Sequence, residues 1–432
     1  MREHRPLHAI RPQRLLKLAG LLLVLALVAA ACSGSGDESE ATAEAVDAGE
    51  EASEAGSSGE QSEPGVPDPN FDYATVNYDL DPAGDALRDD RRNAAFPPPV
   101  IEPSLIRSGG VPPDGIPPID SPNFVPTSDV DFLTDDEAVV SVEIDGDARA
   151  YPVQILIWHE IVNDEIGGIP VSVTYCPLCN SALAFDRRFG DRVLDFGTSG
   201  ELYQSALVMY DRQTGSLWAH FTGQGLVGHY AGAELGFVPA QTISFAQFRA
   251  AHPEGQVLTQ DTGASRQYGV NPYVGYDNEN TDPIGQFFNG EIDRSELAKA
   301  RIVGINDDAG SIAIRFEDLA SQPVVQVTED GRNLVVFHIP GLASALDVGQ
   351  ISEGRDVGQT GVFTAAAPDG TALTFTNDGE NFVDDQTGTT WNILGQGIDG
   401  ELAGERLEPI THLDTFWFAW ATYRPGTVVI EI

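Results

Sequence analysis

Alternating apolar and polar residues dominate the chain from about residue 137 onward, and a period of two is typical of β-strands. Residues 138–152, "AVVSVEIDGDARAYP", predict two strands joined at Asp145-Gly146, a pair that favours a tight hairpin turn. Residues 169–175, "IPVSVTY", predict a buried strand that ends at Cys176, and a further hairpin is expected to turn at Gly190-Asp191. The pattern predicts a β-rich α+β fold.

Two stretches carry helical signals instead. Residues 153–164, "VQILIWHEIVND", follow Pro152 and precede Gly167-Gly168, an arrangement that predicts a helix along the whole stretch. A shorter helix is expected after Ser244, because Ser244 and Gln247 have the spacing of a capping box.

An internal repeat divides this region into two related units. "DRQTGSLWAHFTGQGLVGHYAG", from Asp211, aligns with "DDQTGTTWNILGQGIDGELAG", from Asp384, and this places Trp218 on Trp391. "SVTYCPLCNSAL" similarly aligns with "VVFHIPGLASAL". The repeat predicts a first unit over 137–262, a bridge over 263–298 and a second, cysteine-free unit over 299–432.

The region before the first unit has three parts. Residues 1–31 join a basic start to a short apolar run, as expected of a secretory signal peptide. Residues 32–64 consist mainly of small and acidic residues, a composition that predicts a disordered linker. Proline then becomes frequent, and residues 65–136 are expected to form an extended strap whose apolar side chains dock on the fold.

Cys32 follows three alanines at the end of the apolar run, although the first of them, Ala29, stands where leucine is usual in bacterial lipoproteins. This resemblance predicts cleavage before Cys32 and its lipidation; the alternative is an ordinary cleavage site that happens to precede a cysteine. Lipidation would place the protein outside the cytoplasm, attached to the cell membrane through the lipid.

The net charge is −42, from 24 Lys and Arg against 66 Asp and Glu. Cleavage before Cys32 removes five basic residues and one acid, so the charge becomes −46. A strongly negative chain repels nucleic acid, which excludes nucleic-acid binding, and it leaves the lipid as the only expected membrane contact. A protein partner or a small-molecule substrate cannot be named from the sequence.

Two of the three cysteines stand close together in "VTYCPLCNS", as Cys176 and Cys179. Cysteines at this spacing, before a residue that tolerates a left-handed turn, are typical of a metal knuckle. A second knuckle is absent from the sequence, so the remaining ligands would come from histidines or carboxylates. The candidates are His159, His220 and Glu160, and soft thiolates favour copper or zinc. His159 and Glu160 would otherwise make hydrogen bonds in the core.

Two further hypotheses remain open. In a thiol-disulfide oxidoreductase, Cys176 would attack and Cys179 would resolve, although no long helix is expected after Cys176 to lower its pKa. In a binding or interaction protein the cysteines would form a passive disulfide, and Tyr268, Tyr273 and Tyr276 would line a groove or pack between the units. Whether the protein is an enzyme stays undecided.

Several long motifs occur together, among them "DGIPPIDSPNF", "ARAYPVQILIWHEIVND" and "VTYCPLCNSALAFDRR". With these, the chain resembles the bacterial domain of unknown function family 3179 from about Pro112 to the C-terminus. The resemblance implies a secreted or lipid-anchored protein with a Tyr-Cys-Pro-x-Cys centre and a His-Glu pair upstream, and it implies no particular activity.

The anchor is testable at Cys32. Because the thiol of this residue would carry the lipid, we expect Cys32→Ala to move the protein from the membrane fraction to the soluble fraction and to remove the mass of the acyl chains. Fractionation and intact-mass measurement check this, with Cys176→Ala as the matched cysteine control. An unchanged membrane fraction for Cys32→Ala would contradict lipidation.

Overall fold

Short strands form most of the structure, because β-branched and aromatic residues recur at every second position. The computed structural model describes residues 85–87, 91–328 and 331–432. The predicted signal peptide (1–31), Cys32 and the linker (32–64) lie outside the described residues, as does most of the chain from 65 to 90.

Within the residues that the structure describes, the first half of the fold contains sixteen strands and two helices. They are β1 (Arg107–Ser108), β2 (Phe124–Pro126), β3 (Ala138–Ile144), β4 (Asp147–Pro152), α1 (Val153–His159), β5 (Ile161–Ile166), β6 (Ile169–Cys176), β7 (Ser181–Asp186), β8 (Arg188–Phe189), β9 (Arg192–Val193), β10 (Phe196–Tyr203), β11 (Ala206–Asp211), β12 (Leu217–Ala219), β13 (Gly225–Val227), β14 (Phe237–Val238), β15 (Ala240–Ser244), α2 (Phe245–Ala251) and β16 (Gln256–Leu258).

The second half contains eleven strands and two helices within the described ranges. They are β17 (Arg301–Asp307), β18 (Gly310–Arg315), α3 (Phe316–Ser321), β19 (Val324–Val327), β20 (Leu334–Ile339), β21 (Gln359–Thr364), β22 (Phe375–Asn377), β23 (Phe382–Asp384), β24 (Thr390–Trp391), β25 (Gly397–Asp399), β26 (His412–Phe416), α4 (Trp417–Tyr423) and β27 (Val428–Val429). The predicted β-rich class is confirmed, with helices confined to short segments.

The hairpin predicted at Asp145-Gly146 is confirmed. β3 and β4 pair antiparallel, and both turn residues have positive φ, 51° and 85°. Such a pair of left-handed residues matches the twist of the flanking strands. The short helix after Ser244 is also confirmed, and the Ser244 hydroxyl accepts a hydrogen bond from the Gln247 N–H at 3.4 Å.

The long helix predicted over 153–164 is wrong in its second part. The helix ends at His159, Glu160 has a φ of +60°, and the following residues form β5, which pairs antiparallel with β6. The β-branched Ile161 and Val162 are fully buried in that sheet. Pairing along β6 therefore overrides the local helical pattern.

The two halves contain sheets with the same strand order. In the first half β15, β3, β4 and β16 lie side by side, with two antiparallel pairings followed by a parallel one. In the second half β26, β17, β18 and β27 repeat this order and these directions. The three-stranded arrangement β5-β6-β7 likewise matches β19-β20-β21, and β10 to β13 match β22 to β25.

A buried aspartate closes the corresponding turn in each half. Trp218 donates its indole N–H to Asp211 at 2.8 Å, and Trp391 donates to Asp384 at 2.9 Å. A threonine three residues after each aspartate donates its hydroxyl to the same carboxylate. Asp384, and not the neighbouring Asp385, therefore corresponds to Asp211.

Residues of the proline-rich region lie on this framework. Phe96 and Ile101 are buried in a cluster with Val208 and Leu217, and Ile119 bridges to Val162 in the main core. That main core holds Cys176 and Cys179 and continues into Phe416 and Trp420 of the second half. None of the helices in the described ranges has the length and apolar character needed to cross a membrane.

The two turn aspartates predict opposite pH effects on stability. Burial raises the pKa of Asp211 to about 6, although hydrogen bonds from Trp218 and Thr214 oppose it. At Asp384 burial also raises the pKa, but the hydrogen bonds from Trp391 and Thr387 outweigh it, so that pKa lies below its ordinary value. We therefore expect wild type to lose stability relative to Asp211→Asn as the pH rises from about 4 to about 6, by up to about 3 kcal/mol.

The sign follows from proton binding. A carboxyl with a raised pKa in the folded state holds more protons there than in the unfolded chain, so raising the pH favours unfolding. The matched variant Asp384→Asn is expected to show the opposite trend. Chemical unfolding near pH 4 and near pH 7 measures the effect at Asp211. The effect at Asp384 falls below about pH 4, because its pKa lies below the ordinary value of 3.8, and unfolding at about pH 2.5 and about pH 4 measures it. The same trend for the two variants would contradict this assignment.

Candidate functional site

The two cysteines lie at the ends of one tight turn. β6 ends at Cys176, β7 begins at Ser181, and these two residues pair across the hairpin. Asn180 has a φ of +50°, and its N–H donates to the Pro177 carbonyl at 3.3 Å. The left-handed position expected after Cys179 is therefore present, and it folds the turn back so that both sulfurs lie inside the core.

The remaining carbonyls of this turn are held by other parts of the chain. The Tyr276 hydroxyl donates to the Leu178 carbonyl at 2.9 Å. The Cys179 carbonyl accepts from the Thr415 hydroxyl at 2.7 Å and from the Phe416 N–H at 3.2 Å. Since Thr415 and Phe416 belong to β26, the second half of the fold positions the cysteine turn of the first half.

Cys176 is surrounded by hydrogen-bond donors. Burial raises the pKa of its thiol, but donation from the Cys179 side chain and from the backbone N–H groups of Cys179, Leu207 and Leu178 outweighs burial, so the pKa lies below its ordinary value. These donors favour a thiolate, as they do in cysteine sites that bind metals.

Cys179 has the opposite tendency. Burial and the adjacent Cys176 side chain raise the pKa of the Cys179 thiol well above its usual value. Its sulfur lies 3.0 Å from the Ser181 hydroxyl. Both cysteines are free thiols, and their exposed fractions are 1% and 0%. The two pKa shifts have opposite signs, so Cys176 loses its proton more readily than Cys179.

His220 approaches the same sulfurs from the end of β12. Its backbone N–H donates to Leu207 at 3.1 Å, and its imidazole packs edge-on against Phe185. The side chain is completely buried, and burial lowers its pKa to about 3, which keeps the ring neutral. Neither ring nitrogen has a hydrogen-bond partner among the described residues.

One ligand atom from each of Cys176, Cys179 and His220 lies within 4.8 Å of the other two. No other group of three or more His, Cys, Asp or Glu side chains meets this spacing in the described part of the chain. A neutral imidazole with a free lone pair beside two sulfurs is a donor set suited to a soft or borderline metal ion.

His159 and Glu160 do not join this group. The two nitrogens of His159 lie 2.7 Å from the Pro117 carbonyl and 2.6 Å from the Tyr268 hydroxyl, so the ring makes core hydrogen bonds. Glu160 lies near Cys176, and burial followed by the negative charge of Cys176 raises its pKa to about 8. Its carboxyl is therefore largely protonated at neutral pH.

The tyrosines expected to line a groove are not grouped on an open surface. Tyr276 is buried and bonds to the cysteine turn, while Tyr268 bonds to His159 and to the Thr262 hydroxyl, the latter at 2.5 Å. Tyr273 packs edge-on against Tyr276. These contacts correspond to the packing interpretation of the three residues.

Several residues that contact the cysteine turn were not predicted from the sequence. Leu207 supplies a backbone N–H to Cys176, and Thr415 binds the Cys179 carbonyl. Burial raises the pKa of Tyr423 well above its usual value, and the neighbouring Tyr203 and then the Cys179 and Cys176 side chains raise it further. Leu207 acts through its peptide group, which no sequence motif reveals. Thr415 and Tyr423 lie more than two hundred residues away along the chain.

Fold and site together define a class: a β-rich protein with matching sheets in its two halves and a closed Cys-Cys-His cluster in the first. The sequence matches the family described as Protein of unknown function (DUF3179) over residues 113–427, and the chain belongs to this family. The expected family resemblance is thereby confirmed. No curated protein and no solved structure matches the chain.

The hydrogen bonds that hold the cysteine turn can be tested by two isosteric substitutions. Tyr276→Phe removes the hydrogen bond to the buried Leu178 carbonyl, which has no other partner in the described structure, so we expect a loss of about 1–3 kcal/mol. Thr415→Val leaves the hydrogen bond from the Phe416 N–H to the Cys179 carbonyl in place. We therefore expect a smaller loss in the free energy of unfolding, about 0.5–1.5 kcal/mol.

Denaturant unfolding of the metal-free protein, in the presence of a chelator, gives both free energies of unfolding. A larger effect for Thr415→Val than for Tyr276→Phe would contradict the assignment of these hydrogen bonds. Thr422→Val is a suitable control, since this threonine donates only to a carbonyl one turn earlier in its own helix.

Proposed function

We propose that Cys176, Cys179 and His220 bind one metal ion, copper or zinc, in metal handling or electron transfer. The observation that supports this most directly is the His220 side chain, which is fully buried with both nitrogens unpaired among the described residues and with one of them close to two sulfurs. Buried polar groups in folded proteins nearly always have partners, and a metal ion is the partner that this donor set would accept.

Coordination number and charge favour different ions. Three donors, two of them thiolates, suit Cu(I), which is stable with few soft ligands. Two thiolates with Zn(II) give a neutral cluster, and a buried cluster without net charge avoids a large desolvation penalty. Structural zinc sites, however, use four ligands.

A thiol-disulfide oxidoreductase is the second candidate function, supported by the lowered pKa of Cys176 and by its spacing from Cys179. Exchange requires that a substrate sulfur approach the attacking thiolate in line. With exposed fractions of 1% and 0%, the two sulfurs offer no such approach without a conformational change. Metal binding requires only that a single ion, which is much smaller than a substrate disulfide, reach the two sulfurs.

The cellular setting is part of the proposal. A signal peptide over 1–31, a lipid on Cys32 and an acidic linker would hold the folded region outside the cytoplasm near the membrane. Thiolate ligands suit copper that is delivered in that compartment.

We further propose that the two halves descend from a duplication in which only the first half kept a metal site. The matching sheet orders and the paired Asp-Trp turns support this. Where the first half has Cys176 and Cys179, the second has Ile339 and Leu342, and the loop after Trp391, which is one residue shorter than the loop after Trp218, contains no histidine. Asn392 turns its side chain to its own loop, where its carbonyl oxygen accepts from the N–H of Leu394 and of Gln396, each at 3.0 Å.

Metal content tests the proposal. We expect the purified full-length protein to hold about one copper or zinc ion per chain, by elemental analysis. Cys176→Ser, Cys179→Ser and His220→Asn should each reduce this content strongly. Asn is chosen for His220 because its side chain is polar and smaller than imidazole and lacks the basic ring nitrogen that binds a metal ion.

His338→Asn is the matched control, since His338 is also a buried histidine but lies in the second half. It should leave the metal content unchanged. Metal-free protein whose two thiols oxidise and reduce reversibly would favour the thiol-disulfide oxidoreductase. A permanent disulfide between Cys176 and Cys179 would favour the binding or interaction protein with a passive disulfide.

A further inference from the structure

The cluster borders a fourth side chain that the three-ligand proposal leaves unexplained. Ser205 is completely buried, and its hydroxyl has no hydrogen-bond partner within the described ranges. The two ring nitrogens of His220 are likewise buried without a hydrogen-bond partner within the described ranges. A metal ion bound to one His220 nitrogen would still leave this hydroxyl without a partner.

Ser205 lies against Cys176, and the strand that follows it contacts His220. It lies in the turn between β10 and β11, and its carbonyl oxygen is 3.9 Å from the Cys176 sulfur. Two residues later, Leu207 donates its N–H to that sulfur and accepts the N–H of His220. The turn that contains Ser205 therefore lies on Cys176, and β11, the strand that follows this turn, is hydrogen-bonded to His220.

The backbone of this turn is strained. Gln204 and Ser205 have φ values of +50° and +62°, in the left-handed region that side chains disfavour. Two-residue hairpin turns with this geometry prefer Asn-Gly, and glycine at position 205 would relieve the strain. The chain thus keeps a strained residue whose buried hydroxyl has no partner, which is a double cost that glycine would avoid.

We infer that the Ser205 hydroxyl oxygen is the fourth donor to the ion held by Cys176, Cys179 and His220. The resulting set of two sulfurs, one nitrogen and one oxygen matches the four-coordinate preference of zinc, whereas Cu(I) does not need the fourth donor. Ser205 would therefore determine the preference for zinc. This inference rests on the proposed metal site.

Ser205→Gly separates a ligand role from a structural one. Because glycine suits the local φ, we expect the metal-free variant to be at least as thermally stable as wild type. Its affinity for Zn(II), titrated against a chelator in the full-length protein, should fall by about tenfold or more. Its affinity for Cu(I) should change by less than about threefold.

Ser172→Ala is the matched control, because Ser172 is another fully buried serine whose hydroxyl has no partner in the described structure, and it lies on β6 away from the turn. It should leave both affinities unchanged. A second variant, Ser205→Cys, replaces the proposed oxygen donor by a thiolate. With Co(II) as the probe, the sulfur-to-metal charge-transfer absorption should rise by roughly half, as a third thiolate joins two.

The outcomes separate the two proposals. If wild type binds zinc and Ser205→Gly binds it equally well, or if Ser205→Cys leaves the Co(II) spectrum unchanged, the role of Ser205 is refuted and the three-ligand site stands. If wild type binds none of Zn(II), Cu(I) and Co(II), the metal site itself is refuted.

Discussion

The turn from Cys176 to Ser181 buries several peptide groups, and each N–H and C=O must find a partner because unpaired backbone groups inside a protein are costly. The Leu178 and Cys179 N–H groups point at the Cys176 sulfur. The Leu178 and Cys179 carbonyls are bound by Tyr276 and by β26. The geometry of the site thus follows from backbone hydrogen bonding, and it requires both halves of the fold.

The second half contains a turn that corresponds to the cysteine turn but has no cysteine. There the N–H groups of Gly341 and Leu342 donate to the Asp356 carboxylate at 2.9 Å and 3.2 Å. The corresponding groups of the first half donate to sulfur. In both halves the turn concentrates N–H groups on a negative atom, in keeping with the anion-binding tendency of successive backbone N–H groups. This supports a thiolate at Cys176 independently of any bound ion.

Several features follow from local sequence. Asp145-Gly146 forms its hairpin, Asn180 takes up its left-handed conformation, and Trp218 and Trp391 occupy matching turns. Each depends on residues close together in the chain, where conformational preference or a short hydrogen bond decides the outcome. The pairing of Cys176 with Cys179 was visible for the same reason.

The histidine that lies beside the two sulfurs was not predictable in this way. His159 was the first candidate, with His220 and Glu160 as further ones, and sheet pairing reversed that order. β5 ends the helix at His159 and turns that ring to Pro117, while β12 brings His220 to the sulfurs. Thr415 and Leu207 contact the cysteine turn only because strands far apart in the chain become neighbours. Local patterns determine turns and strands, but the identity of a buried ligand set depends on long-range packing, which no short stretch of sequence contains.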